Sequence, residues 1–85
     1  MGNTLVIYKI YPNEVGEEDK IIESVKKITI AEVKDVKKEP VAFGMCVVRL
    51  GVLFLEKQER LEEFEKAIRA IKEVSDVEVE GMTLL

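Results

Sequence analysis

From Thr4 to Tyr11 the chain alternates, with Val6, Tyr8 and Ile10 on one face and Leu5, Ile7, Lys9 and Tyr11 on the other. A period of two predicts a β-strand, and the turn signal Pro12-Asn13 ends it. From Glu17 the period changes. Ile21, Ile22, Val25 and Ile28 follow helical spacing, the acids Glu17, Glu18 and Asp19 open the segment, and Lys26 and Lys27 close it. Both charge groups complement the helix dipole, so a helix is predicted from Glu17 to Lys27. Ile30 to Lys38 is a weaker strand, because Val33 and Val36 differ in parity and Lys34, Asp35, Lys37 and Lys38 are charged. An edge strand with a bulge explains both features, and Glu39-Pro40 is expected to end it.

Met45 to Leu55 is the most hydrophobic stretch, with Val48, Leu50, Val52 and Phe54 alternating against Val47, Arg49, Gly51 and Leu53. It reads as a central strand. Gln58 to Lys72 carries Leu61, Phe64, Ile68 and Ile71 on one helical face, with Glu62/Lys66 and Glu65/Arg69 spaced as i,i+4 pairs. Val74 to Glu80 alternates once more, Val77 and Val79 inward. The predicted order β-α-β-β-α-β is that of the ferredoxin-like plait, an α+β fold with a four-stranded antiparallel sheet and two helices on one face. At 85 residues it is expected to form a single domain, 1–85.

Composition narrows the chemistry. Thirteen basic against seventeen acidic residues give a net charge of −4, which offers no long-range attraction to nucleic acid or an anionic membrane. Neither is expected as a direct partner. Histidine is absent and Cys46 is the single cysteine. Imidazole catalysis, Cys/His zinc sites and intrachain disulfides are thereby excluded, and no cofactor or metal is expected. Phosphate-binding glycine motifs are missing as well. The N-terminus lacks a basic segment followed by an apolar core, and no apolar run approaches a membrane span, so a cytoplasmic location is expected. The carboxylates fall on helix surfaces and alternate strand positions and do not converge as an acid–base pair. What remains is mainly a binding module, or carboxylate and lysine chemistry.

Glu39-Pro40-Val41-Ala42-Phe43-Gly44 stands out. Pro40 restricts φ and Gly44 permits a sharp re-entry, so the segment reads as a stiff hairpin tip. Two readings of Phe43 stand side by side. It either folds back to cap the core or stands out as an anchor for a partner's pocket.

That hexapeptide, the hydrophobic strand after it, the acidic second helix, the terminal Val74-x-x-Val77-Glu78-Val79 and Lys9-Ile10-Tyr11-Pro12 together resemble archaeal elongation factor 1-beta. The resemblance spans nearly the whole chain. It implies a plait-fold guanine-nucleotide exchange domain that promotes GDP release from elongation factor 1-alpha, a GTPase carrying GDP or GTP and Mg²⁺, during translation elongation. It implies binding without covalent chemistry. In the family one end of the sheet reaches the switch regions and disturbs the Mg²⁺ site, while the opposite end engages the GTPase's second domain. The partner-binding residues carried over are Pro40, Ala42, Phe43 and Gly44 at the hairpin, and Met82, Thr83, Leu84 and Leu85 at the other end. The chain departs from the pattern there. Eukaryotic relatives place a lysine near the Mg²⁺ site; here its position is taken by Leu84, and no base follows Lys72. An apolar segment would act sterically where the lysine acts by charge. The alternative is a noncatalytic plait-fold interaction module in which exchange is lost or altered.

Overall fold

The computed structural model describes residues 2–41, 44–55 and 61–85. Its elements are β1 (Thr4–Pro12), α1 (Glu18–Lys26), β2 (Glu32–Pro40), β3 (Cys46–Phe54), α2 (Leu61–Arg69) and β4 (Val74–Leu84). The strands form one antiparallel sheet in the order β2-β3-β1-β4, which is the predicted ferredoxin-like plait. Gln58, Glu59 and Arg60, expected to begin the second helix, lie outside the described residues.

The alternation of β1 decides its packing. Thr4, Val6, Tyr8, Ile10 and Pro12 are buried, while the residues between them are half-exposed on the other face. Opposite them on β3 stand Val48, Leu50, Val52 and Phe54, and the two rows bury against Ile21 and Val25 of α1 and Phe64 and Ile68 of α2. Rings lock the centre: Phe64 lies 5.4 Å from Tyr8 and 5.6 Å, edge-on, from Phe54. Helical spacing aims the apolar stripes of α1 and α2 at this row, and burial of that surface supplies most of the driving force.

β2 is an edge strand with a register shift between Val33 and Asp35, so Lys34 is the additional residue. That shift reconciles the parity of the valines: Val33 faces Val52 and Val36 faces Leu50, both on the helix side. The strand continues further than expected, through Glu39 to Pro40. Val41 N–H donates to Met45 O at 3.0 Å, so the next pair inward, Pro40 and Cys46, is non-hydrogen-bonded. Its nitrogens point away from each other, and proline loses nothing there.

β4 also exceeds expectation. It runs past Glu80 to Leu84, through a register shift that pairs Ile7 with Gly81 and Tyr8 with Val79. Glu80 is the extra residue of a bulge. Val79 faces the helix side, as its alternation predicts, yet it is 46% exposed because β4 is the outer strand. Arg69, spaced to pair with Glu65, reaches β4, donating to Asp76 Oδ1 at 3.0 Å and to Val77 O at 3.1 Å. The Val77 N–H and the Arg69 guanidinium together hold the Asp76 carboxyl below its usual range.

The Tyr8 hydroxyl is buried and has no hydrogen-bond partner among the described residues. Burial pushes its pKa above the ordinary value of about 10, and the negative charge of Glu65 adds to the shift. The folded chain therefore keeps Tyr8 neutral at pH values where the unfolded chain ionises it. This stability is present in full below about pH 10 and is lost as the pH climbs from there toward the raised folded pKa. Tyr8→Phe is expected to gain ~1 kcal/mol at neutral pH, because an unsatisfied buried hydroxyl disappears. Its advantage should widen above about pH 10. Urea midpoints of both proteins across that range check this; a Tyr8→Phe protein less stable than wild type at every pH contradicts it.

Candidate functional site

The sheet presents two separate ends. At one, β2 turns into β3 through a hairpin closed by the Val41–Met45 hydrogen bond. Gly44 has φ +75°, and among the described residues beyond its chain neighbours no atom lies within 4 Å of where a Cβ would stand, so the requirement for glycine comes from backbone conformation. Pro40 stands at the hairpin base opposite Cys46, and Val41 is exposed. Ala42 and Phe43 lie outside the described residues. Two ion pairs brace the base: Lys38 Nζ to Asp19 Oδ1 of α1 at 2.9 Å, and Arg49 Nη1 to Glu39 Oε2 at 3.2 Å. Asp19, by hydrogen bond and charge, raises the pKa of Lys38.

At the other end Met82, Thr83 and Leu84 belong to β4, opposite Val6, Leu5 and Thr4, and Leu85 N–H donates to Asn3 O at 2.8 Å. These residues form structured sheet rather than a tail. Because Val6 and Thr4 face the helices, Met82 and Leu84 share that side with Val79, while Thr83 shares the open side with Leu5. Met82 is 56% exposed, Leu84 74% and Leu85 65%. The result is an apolar border along the end of the outer strand, and Gly81 to Leu85 contribute no cation to it. Leu84 and the hairpin base are separated by the length of β1, Thr4 to Pro12, or about 26 Å at ~3.3 Å per residue. The structure therefore brings Pro40 and Gly44 together and brings Met82 to Leu85 together, but not the two groups with each other.

Several features of these ends are not apparent in the chain read alone. Leu55, also exposed, extends β3 toward the Leu84 end, beside a cleft lined by Thr29, Ile30, Ala31 and Leu53. The open face carries a row of charges through Glu39, Arg49, Lys9 and Glu80, one from each strand. Tyr11 adds a hydrogen bond from its hydroxyl to Glu78 Oε2 at 3.3 Å and a ring 5.9 Å beneath Lys9 Nζ. Among the described residues no group of three or more Cys, Asp or Glu converges to hold a metal ion, and no helix is long and apolar enough to cross a membrane.

The sequence profile of the EF-1 guanine nucleotide exchange domain matches residues 5–85. Among curated proteins, elongation factor 1-beta of Desulfurococcus amylolyticus is 36% identical over 91 residues, covering 100% of this chain and 99% of its own. The Ignicoccus hospitalis protein of the same name is 32% identical, covering 94% of this chain and 89% of its own. That of Aeropyrum pernix is 31% identical, with 98% and 97% covered. Among solved structures, the ACT domain from GTP pyrophosphokinase of Chlorobium tepidum superposes with a TM-score of 0.63 over 93% of this chain and 99% of its own, at 14% identity. At that identity the likeness concerns the fold alone.

Proposed function

The chain belongs to the EF-1 guanine nucleotide exchange domain family, and from that premise we propose that it is a single exchange domain, residues 1–85, that promotes GDP release from elongation factor 1-alpha in the cytoplasm during translation elongation. The family match across nearly the whole chain is the observation that carries this reading. The activity is one of binding. A GTPase holding GDP and Mg²⁺ favours one arrangement of its switches, and a protein that binds the emptied arrangement better must, by linkage, weaken nucleotide affinity.

The two ends divide the work. Pro40, Ala42, Phe43 and Gly44 anchor one surface of the GTPase, and Met82, Thr83, Leu84 and Leu85 press on another. A sheet about 26 Å long keeps the two contacts at a set spacing. With Leu84 where eukaryotic relatives carry a lysine, the pressing end acts by volume: a branched apolar side chain entering the nucleotide site would act sterically beside the Mg²⁺ that the partner carries. The apolar, exposed side chains of Met82, Leu84 and Leu85, with no base after Lys72 in the sequence, support that mode over charge displacement.

Release of fluorescent GDP from elongation factor 1-alpha, with and without this protein, tests the reading. Acceleration is expected; an unchanged off-rate at saturating, demonstrably bound protein would leave the noncatalytic interaction module in its place. Phe43→Ala separates anchor from core cap. As an anchor, Phe43 should lose ~1–3 kcal/mol of association on truncation with the unfolding midpoint nearly unchanged. Titration calorimetry beside thermal melts reads both, and a large loss of stability with unaltered affinity contradicts the anchor.

A further inference from the structure

Lys9 and Arg49 stand directly opposite each other in the β1–β3 ladder, on the open face of the sheet. Two cations in that position repel. Glu80 relieves them: one carboxylate oxygen, Oε1, accepts from Arg49 Nη2, and the other, Oε2, lies 4.0 Å from Lys9 Nζ. Glu80 sits on β4, so the guanidinium reaches past β1 to meet it. Its second nitrogen, Nη1, holds Glu39 on β2 at 3.2 Å. A single fork thus joins the two outer strands of the sheet, using the bidentate geometry that lysine lacks.

Glu80 is also the extra residue of the β4 bulge, where the ladder is interrupted. Beyond it, Gly81 to Leu84 continue along an outer strand with exposed apolar side chains and little packing of their own. That is the profile of a segment that opens readily. Glu39 immediately precedes Pro40 at the hairpin base.

We propose that Arg49 is a positioning residue that pins β4 at its bulge through Glu80, holds Gly81–Leu84 on β1, and ties that end to the hairpin base through Glu39. Its bearing on nucleotide release rests on the function proposed above. Its effect on β4 does not. Isolated surface pairs contribute little, but this fork serves two carboxylates, and one of them, Glu80, also offsets the charge of the opposed lysine.

The Leu85–Asn3 hydrogen bond sets the alternation of the ladder, so Thr83, two residues earlier, also directs its N–H at β1, toward Leu5. Hydrogen exchange of the Thr83 amide in wild type, Arg49→Gln and Arg49→Lys is the test. In Arg49→Gln its protection is expected to fall about tenfold while amides of the β1–β3 ladder change less than about threefold, and Arg49→Lys should recover part of the loss. In GDP release by Arg49→Gln, the saturating rate should drop severalfold with a smaller change in the half-saturating concentration, because the hairpin loses its Glu39 brace but keeps the Lys38–Asp19 pair and the Val41–Met45 hydrogen bond. Unchanged Thr83 protection, or an equal loss at every amide, overturns the proposal. Wild-type protein that fails to speed GDP release overturns the functional reading alone, since the amide measurement still decides the role of Arg49.

Discussion

Phe64→Ala is expected to lose ~3–5 kcal/mol of stability, the range for removing a large aromatic from a closed core. Phe64 is fully buried and touches both Tyr8 and Phe54, so its ring joins α2 to the two inner strands at once. Ile68, Leu50 and Val52 of the same core are themselves fully buried, so the space is not readily refilled from among the described residues. A small domain has only ~5–15 kcal/mol in total, so the variant should melt on the order of 20 °C lower or fail to fold at moderate temperature. Calorimetry or circular dichroism melts check this. A loss under ~1 kcal/mol would mean that α2 does not close the core through this ring. The same experiment calibrates Phe43→Ala, whose expected signature is the reverse: weaker association on a stable fold.

The second large effect concerns the far end of β4. Deleting Met82 to Leu85 removes the partners of Val6, Leu5 and Thr4 and the hydrogen bond to Asn3 O. At ~0.5–1.5 kcal/mol for each lost bond, with the edge of Val6 uncovered, a loss of ~2–4 kcal/mol in stability is expected along with the GDP-release activity. Truncation therefore mixes wedge with scaffold. Point substitutions separate them, because Leu84 is 74% exposed and its side chain contributes little to the fold. Leu84→Ser should keep stability within ~0.5 kcal/mol and slow GDP release severalfold if volume is the active ingredient. Leu84→Lys should speed release if charge is what counts. Stopped-flow GDP off-rates with equal amounts of each bound variant decide between them. Should neither substitution move the off-rate, this end does not act on the nucleotide site and the noncatalytic module is the better description.

How far sequence alone reaches is set by which interactions are local. Alternation in Val6-Tyr8-Ile10 and Val48-Leu50-Val52-Phe54, and helical spacing in Leu61-Phe64-Ile68, are properties of neighbouring residues. They specify which face of each element is buried, and with the element order they lead to the plait. The charges of Lys34, Lys37 and Lys38 mark β2 as an edge for the same reason, since an unpaired strand must tolerate water and repel company. The hairpin, too, is legible from Pro40 and Gly44.

The rest depends on pairing across the sheet. Glu80 breaks the parity of β4, so Met82 and Leu84 do not continue the sequence spacing of Val77 and Val79, and alternation alone ends the strand at Glu80. Only the exposed ladder of β1 from Thr4 to Ile7 makes it a strand, because those backbone groups need partners. Pro40 belongs to β2 because of the pair in which it falls, a fact set by the register with β3. Arg49, Lys9, Glu39 and Glu80 are distant in the chain and meet only when the four strands lie in the order β2-β3-β1-β4. Local periodicity therefore determined the elements and their buried faces, and with the element order the two opposite ends, whereas the continuation of β4 past Glu80, the place of Pro40 in β2 and the Arg49 fork were decided by tertiary structure, through backbone hydrogen bonds and charges that no local pattern encodes.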